Sequence, residues 1–275
     1  MTASPTASNS RWADLRLRIL SAAILAPLAL ICIWAGGVAF TGLLTIIAAA
    51  LSYEWLGLCH QRTQGAIALF AALPLAVLLT AFAGPTLALL LLTAATAVGI
   101  AISGGVSLGQ PLAFGIPYLG LAAVALVWLR QPAVSGGVNV IVLLLIVWAS
   151  DIGAYAVGRA VGGPRLAPSI SPGKTWSGAA GGLIAAAGTG FGASIILGNT
   201  MVSWRPVGFA VLIGLTSQAG DLFESQLKRH FRVKDSGNMI PGHGGLLDRL
   251  DAVLTAAPVA ALLALILGRG VVLWE

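Results

Sequence analysis

Nine apolar stretches follow one another along this chain, each about long enough to cross a bilayer. They fall at roughly 17–36, 38–58, 66–83, 85–103, 112–129, 138–158, 176–198, 206–224 and 250–268, and a membrane helix needs about 20 predominantly apolar residues. Of 275 residues, 58% are hydrophobic and 9% charged, against about 25% charged in a soluble domain. Fifteen Lys and Arg with nine Asp and Glu are too few to cover a surface facing water. The chain therefore reads as an all-α, polytopic integral membrane protein with about nine transmembrane helices. No length remains for a separate soluble catalytic domain, so any chemistry belongs at membrane depth or on the connecting loops.

Residues 1–10, mostly Ser, Thr, Ala and Pro, read as a disordered tail, and 11–275 as one membrane domain. Arg11, Arg16 and Arg18 precede the first apolar core, which is longer than the core of a signal peptide and is expected to stay as a helix. The Gly36-Gly37 and Gly84-Pro85 turns suggest helical hairpins. Nine crossings put the termini on opposite sides. With a cytoplasmic amino terminus, every basic residue except Arg130, Arg205 and Arg269 falls inside, as expected for Lys and Arg of cytoplasmic loops. The same choice places loops 159–175 and 225–249 on the cytoplasmic face. The net charge of +6 is then a topological signal, and no nucleic-acid partner is expected. Cys32 and Cys59 have no metal-type spacing and read as ordinary buried residues.

The acids are unevenly spread. Up to residue 130 there are only Asp14 and Glu54, whereas 221–251 hold Asp221, Glu224, Asp235, Asp248 and Asp251 together with Lys228, Arg229, Arg232, Lys234 and Arg249. This divides the domain into a scaffold half, 11–135, and a catalytic half, 136–275. If the eighth span continues as a helix through residue 232, then Asp221, Ser225, Lys228 and Arg232 share one face. A carboxylate, a hydroxyl and two cations in that order suit a metal ion followed by phosphates. The next stretch, Lys234 to Gly245, is rich in glycine, and the amides of Gly242, His243, Gly244 and Gly245 could form an anion-binding nest. Asp248 and Asp251, three apart at the start of the last span, can converge on one site. Acids at a helix start also serve the dipole, but two of them with Asp221 exceed that need. Three carboxylates among cations suggest a hard cation such as Mg²⁺.

Asp151 lies inside an apolar span, which makes it a functional candidate, although Tyr155 and Arg159 on the same helix could satisfy it structurally. Ser171-Pro172-Gly173-Lys174-Thr175 precedes the seventh span. It lacks the first glycine and the preceding strand of a phosphate-binding P-loop, so Ser171 and Lys174 are kept only as candidate phosphate contacts. Gly178-x-x-x-Gly182 and Gly188-x-x-x-Gly192 are small-residue helix contacts that would serve either packing within the chain or a homodimer.

Taken together, Ser225-x-x-Lys228-Arg229-x-x-x-x-Lys234-Asp235-x-Gly237-x-x-Ile240-Pro241-Gly242-His243-Gly244-Gly245-Leu246-x-Asp248-Arg249-Leu250-Asp251 closely resembles the signature of the phosphatidate cytidylyltransferases. Ser150-Asp151-x-x-Ala154-Tyr155-x-x-Gly158-Arg159, Ser171-Pro172-Gly173-Lys174-Thr175-Trp176 and Gln218-x-Gly220-Asp221-Leu222-x-Glu224-Ser225 are similar to further motifs of that family. Ser177 stands where the family commonly has Glu. The resemblance implies transfer of CMP from CTP to phosphatidic acid, with Mg²⁺ alone or with a second cation, in a bacterial plasma (inner) membrane with the site facing the cytoplasm. It implies a catalytic set of Asp221, Asp248, Asp251, Lys228 and Asp151, with Asp221 and Asp248 as metal ligands. Ser225, Arg229, Lys234, Lys174, Ser171, Arg249 and the 242–245 loop would contact the substrates. Two rivals are a CTP-dependent enzyme acting on another lipid, such as a diether phosphate or polyprenol, and an ion-coupled transporter. A transporter would be expected to hold its acids near the midplane, whereas all but Asp151 crowd one rim.

Overall fold

A computed structural model describes residues 6–105, 110–132, 135–197, 204–268 and 273–274. The chain is a bundle of helices: α1 (Thr6–Ala35), α2 (Gly37–Leu58), α3 (Gln64–Phe70), α4 (Ala72–Phe82), α5 (Pro85–Ser103), α6 (Pro111–Arg130), α7 (Gly136–Val161), α8 (Trp176–Leu197), α9 (Arg205–His230) and α10 (Leu247–Leu267). With α3 and α4 taken as one span, eight helices are long and apolar enough to cross a membrane, and their outer faces carry exposed Leu, Ile, Phe and Trp. This is an all-α polytopic membrane protein. The remaining apolar stretch, Ile19–Ala35, is shorter than those eight. Of the tail expected at 1–10, residues 1–5 lie outside the described residues, while Thr6–Ser10 belong to α1. Once a helix exists, each added residue gains a hydrogen bond without a new nucleation cost.

The interruption between α3 and α4 has a local cause. Pro74 has no N–H to offer the carbonyl of Phe70, and the Ser52 hydroxyl on α2 donates to that oxygen instead, at 3.3 Å. Helix α6 is the most buried span and lies between α2, α4 and α5 on one side and α7 and α10 on the other. Helix α8 lies along α7 at close range. A methyl group on Gly178 would sit 2.7 Å from the Ala154 carbonyl oxygen, and one on Gly182 would sit 2.7 Å from that of Ser150. The Gly178–Gly182 pair therefore packs within the chain, while nothing approaches Gly188 or Gly192 within 4 Å.

One element was not expected from hydropathy. Between α7 and α8 the chain forms an antiparallel hairpin of β1 (Arg165–Ala167) and β2 (Ser171–Thr175). It runs directly into α8, where the Thr175 hydroxyl accepts from the Gly178 amide at 3.1 Å, an N-cap of the ordinary kind. The hairpin, the end of α2 and the α9–α10 connection meet at one end of the bundle: Arg229 donates to the Ile170 carbonyl, and Glu54 reaches Leu246. At the opposite end, Arg130 donates to the carbonyls of Ile33 and Trp34 at 2.6 and 2.9 Å, closing α1.

Candidate active site

A cleft of about 660 Å³ opens at the loop-rich end, walled by α7, the β-hairpin, α8, α9 and α10. Four carboxylates line it, Asp151, Asp221, Asp248 and Asp251, with Lys174, Arg159, Arg165 and Ser171. Helix geometry explains part of this convergence. Asp248 and Asp251 are three apart at the start of α10 and share a face, and Asp221 lies on α9, which packs along α10. Gln218, one turn before Asp221, locks the wall by donating to the Ser150 hydroxyl at 3.2 Å and the Ala179 carbonyl at 3.1 Å.

Two of the three lysines pair with carboxylates. Lys174 Nζ lies 2.6 Å from Asp221. Lys228 Nζ bridges Glu224 at 2.7 Å and Asp248 at 2.9 Å, and all three side chains are largely buried. Asp248 is held further by the amides of Ser236 at 3.0 Å and Gly245 at 3.2 Å. Its carboxylate thus closes the α9–α10 connection onto the head of α10. Asp151, expected to be satisfied by Tyr155 and Arg159 if it were structural, is not reached by Arg159, which donates to the Tyr155 hydroxyl at 3.1 Å.

The helix expected to run to residue 232 stops at His230. Val233 N bonds Lys228 O and Arg232 N bonds Arg229 O, the two closures of a Schellman motif, with Arg232 in the left-handed region at φ 56°. Arg232 therefore leaves the face shared by Asp221, Ser225 and Lys228. The amides expected to form an anion nest are used internally: His243 and Gly244 donate to the Ile240 carbonyl, and Gly245 to Asp248. Gly242 and Gly244 hold positive φ of 76° and 84°, the conformation for which glycine is suited. Arg249 is turned onto the His243 carbonyl, at 3.0 and 2.6 Å, and the His243 ring meets the Ser21 hydroxyl of α1 at 2.8 Å. Ser225, Lys228, Arg229, Lys234, Arg249 and the 242–245 loop stand outside the cleft wall, Lys228 reaching it only through Asp248.

The residue that sequence reasoning missed most clearly is Glu54. It lies on α2, in the half read as scaffold, and is 3% exposed. Its two carboxylate oxygens accept from the amides of Leu246 and Leu247 at 2.9 and 2.8 Å. A helix start leaves N–H groups without partners and carries partial positive charge, and Glu54 supplies both acceptor and counter-charge to α10. Next to it, Trp55 joins Phe114, Tyr118 and Phe223 in an aromatic cluster with centroids 5.2 to 6.1 Å apart. This cluster joins α2, α6 and α9. An acid inside an otherwise apolar span was the available signal.

Among the described residues no three His, Cys, Asp or Glu side chains converge as a ready-made metal cage. That does not conflict with Mg²⁺, which typically takes one or two carboxylates and completes its shell with water and substrate phosphates. The hard oxygen donors of the cleft fit that mode.

Comparison with known proteins agrees with the motifs. The model of the cytidylyltransferase family matches residues 16–267. The phosphatidate cytidylyltransferase of Brucella suis is 38% identical over 250 residues, covering 89% of this chain and 91% of the relative. That of Pseudomonas aeruginosa is 35% identical over 270 residues, covering 93% and 99%. A shorter match of 120 residues, 48% identical, is found with the phosphatidate cytidylyltransferase of Haemophilus influenzae. With most of its length matched, the chain belongs to the cytidylyltransferase family.

Proposed function

We propose that this protein transfers CMP from CTP to phosphatidic acid, giving CDP-diacylglycerol and pyrophosphate, at the cytoplasmic rim of a bacterial plasma membrane. The carrying observation is the cleft itself: four carboxylates, two arginines and a lysine around one cavity at the end of a membrane bundle. A lipid phosphomonoester has a second pKa near 6, so at neutral pH it already carries an ionised oxygen. That oxygen attacks the α-phosphorus of CTP, the new P–O bond forms, and the bond to the β-phosphate breaks with its electrons leaving on pyrophosphate. No general base is needed, and catalysis is positioning plus charge neutralisation.

Asp221 and Asp248 would hold Mg²⁺, with Asp151 and Asp251 beside them; the ion would neutralise charge on the triphosphate. Lys174 and Lys228, which contact Asp221 and Asp248 directly, would turn to substrate phosphates when those carboxylates take a cation. The Glu54 contact holds the start of α10, and so the positions of Asp248 and Asp251. Supporting a cytoplasmic orientation, twelve of the fifteen basic residues fall on one side of the expected topology. The name of the Brucella and Pseudomonas relatives favours phosphatidic acid over other lipid acceptors. Purified protein supplied with CTP, phosphatidic acid and Mg²⁺ is expected to release pyrophosphate, and to stop when the metal is chelated. Release no greater than a boiled control, from protein shown to be folded, would remove this reading.

A further inference from the structure

We infer that Arg159 is the residue that receives the phosphate of the membrane-borne substrate, at the head of a lipid-facing track on α7. The inference rests on the proposed function for the identity of that lipid. Among the described residues Lys174 and Lys228 are both paired to carboxylates, whereas two arginines line the cleft without one: Arg159, which donates to the neutral Tyr155 hydroxyl, and Arg165 of the hairpin, which donates to the Gly173 carbonyl; of the two, Arg159 alone stands on α7. Its bond to Tyr155 engages one Nη1 donor. A guanidinium presents five donors in a fork suited to phosphate oxygens, and Arg–phosphate contacts are frequently bidentate.

Position then distinguishes the lipid from the nucleotide. Leu145, Trp148, Ile152 and Tyr155 are exposed by 45%, 45%, 70% and 68%, and with Arg159 they follow one another at spacings of three and four. They form a single stripe along α7. In a membrane protein an exposed apolar stripe faces acyl chains, and here it ends in an aromatic residue and then a cation, as helices do at the headgroup level. From Leu145 to Arg159 the helix rises about 21 Å, enough for one leaflet of a hydrocarbon core of about 30 Å plus part of the headgroup layer. Asp151 and Tyr155 line the same cleft, so the stripe and the cavity are continuous. A lipid with its chains along the stripe would bring its phosphate to Arg159 at the cleft mouth without leaving the bilayer, while the nucleotide enters from water.

The test compares the full-length protein with Arg159→Ala and Arg159→Lys in mixed micelles of dioleoyl phosphatidate. The KM for the lipid should rise about tenfold or more in Arg159→Ala, the loss of roughly 1.4 kcal/mol of binding, with the KM for CTP unchanged and a partial return in Arg159→Lys. A rise in the CTP KM instead, or no change in either, overturns the assignment. A second measurement needs no turnover: native mass spectrometry of protein equilibrated with equal phosphatidate and phosphatidylcholine. Wild-type protein should retain phosphatidate preferentially and Arg159→Ala should lose that preference; equal retention by both overturns the inference. If preference is lost as expected but no variant or wild-type protein turns over CTP, the proposed function fails and the lipid site stands.

Discussion

Replacing Glu54 with Ala should be among the most damaging single changes in the chain, although the residue lies outside every motif that suggested a function. The carboxylate is 3% exposed and accepts two backbone hydrogen bonds, at 2.9 and 2.8 Å, from consecutive amides at the head of α10. Hydrogen bonds to charged groups contribute about 1.5–3 kcal/mol each, and an amide left buried without a partner costs about 1–3 kcal/mol. Loss of the anion at a helix start adds about 0.3–1 kcal/mol. Allowing for partial relaxation, we expect a loss of about 3–5 kcal/mol, a large fraction of the 5–15 kcal/mol typical of a folded domain. Glu54→Gln retains one acceptor and should lose roughly half as much. Gly237→Ala should disturb the same contact, because a methyl there would sit 2.7 Å from the Glu54 carboxylate. Thermal unfolding in a fixed detergent, followed by tryptophan fluorescence, gives the ranking directly. A midpoint for Glu54→Ala equal to that of the wild-type protein would refute the capping role.

Three further perturbations probe the site and its surroundings. Lys228→Met leaves the buried Glu224 and Asp248 carboxylates without their shared cation and should cost about 3–5 kcal/mol; adding Glu224→Gln should recover part of it, and no recovery in the same unfolding assay would contradict the bridge. Asp248→Asn keeps an acceptor for the Ser236 and Gly245 amides, so it should insert and fold while losing at least about a hundredfold in pyrophosphate release; near-normal turnover would remove Asp248 from the reacting centre. Burial pushes the Cys59 thiol up to about 12, so in a Cys32→Ser background at pH 8 only about one molecule in ten thousand carries the reactive thiolate. Maleimide labelling should be slow in the folded protein and fast in denaturing detergent, and equal rates would contradict the packing around Cys59.

The spans were legible in the sequence because hydropathy over about 20 residues is a local property; the structure covers each stretch with helix, splitting 66–83 between α3 and α4, and eight of the nine are long and apolar enough to cross. The acids of the site were legible for a similar reason: Asp221, Asp248 and Asp251 stand out where most of the chain carries no charge. What the sequence concealed was pairing. Lys174 and Asp221 are 47 positions apart and Glu54 and Leu246 are 192 apart, so no periodicity links them, and a lysine committed to a carboxylate looks the same in sequence as one free for phosphate. Arg159 was readable as a topological charge, a partner for Asp151 or the last residue of a family-like motif, and none of these gave it a role toward substrate. The end of α9 was misplaced because glycine is the usual residue in the left-handed cap, and here Arg232 takes that conformation despite a steric cost of about 1–2 kcal/mol.

In the proposed reaction a lipid phosphate attacks the α-phosphorus of CTP in the Asp221–Asp248 cleft, and the fate of each CTP phosphate tests that step. Purified protein should be given phosphatidic acid, Mg²⁺ and CTP labelled either at the α- or at the γ-phosphate, and the products divided between organic and aqueous phases. We expect α-label in the organic-phase lipid and an equal amount of γ-label released into water as pyrophosphate. γ-Label in the lipid, which would mean phosphoryl rather than nucleotidyl transfer, or no label in the lipid from either position, would contradict it.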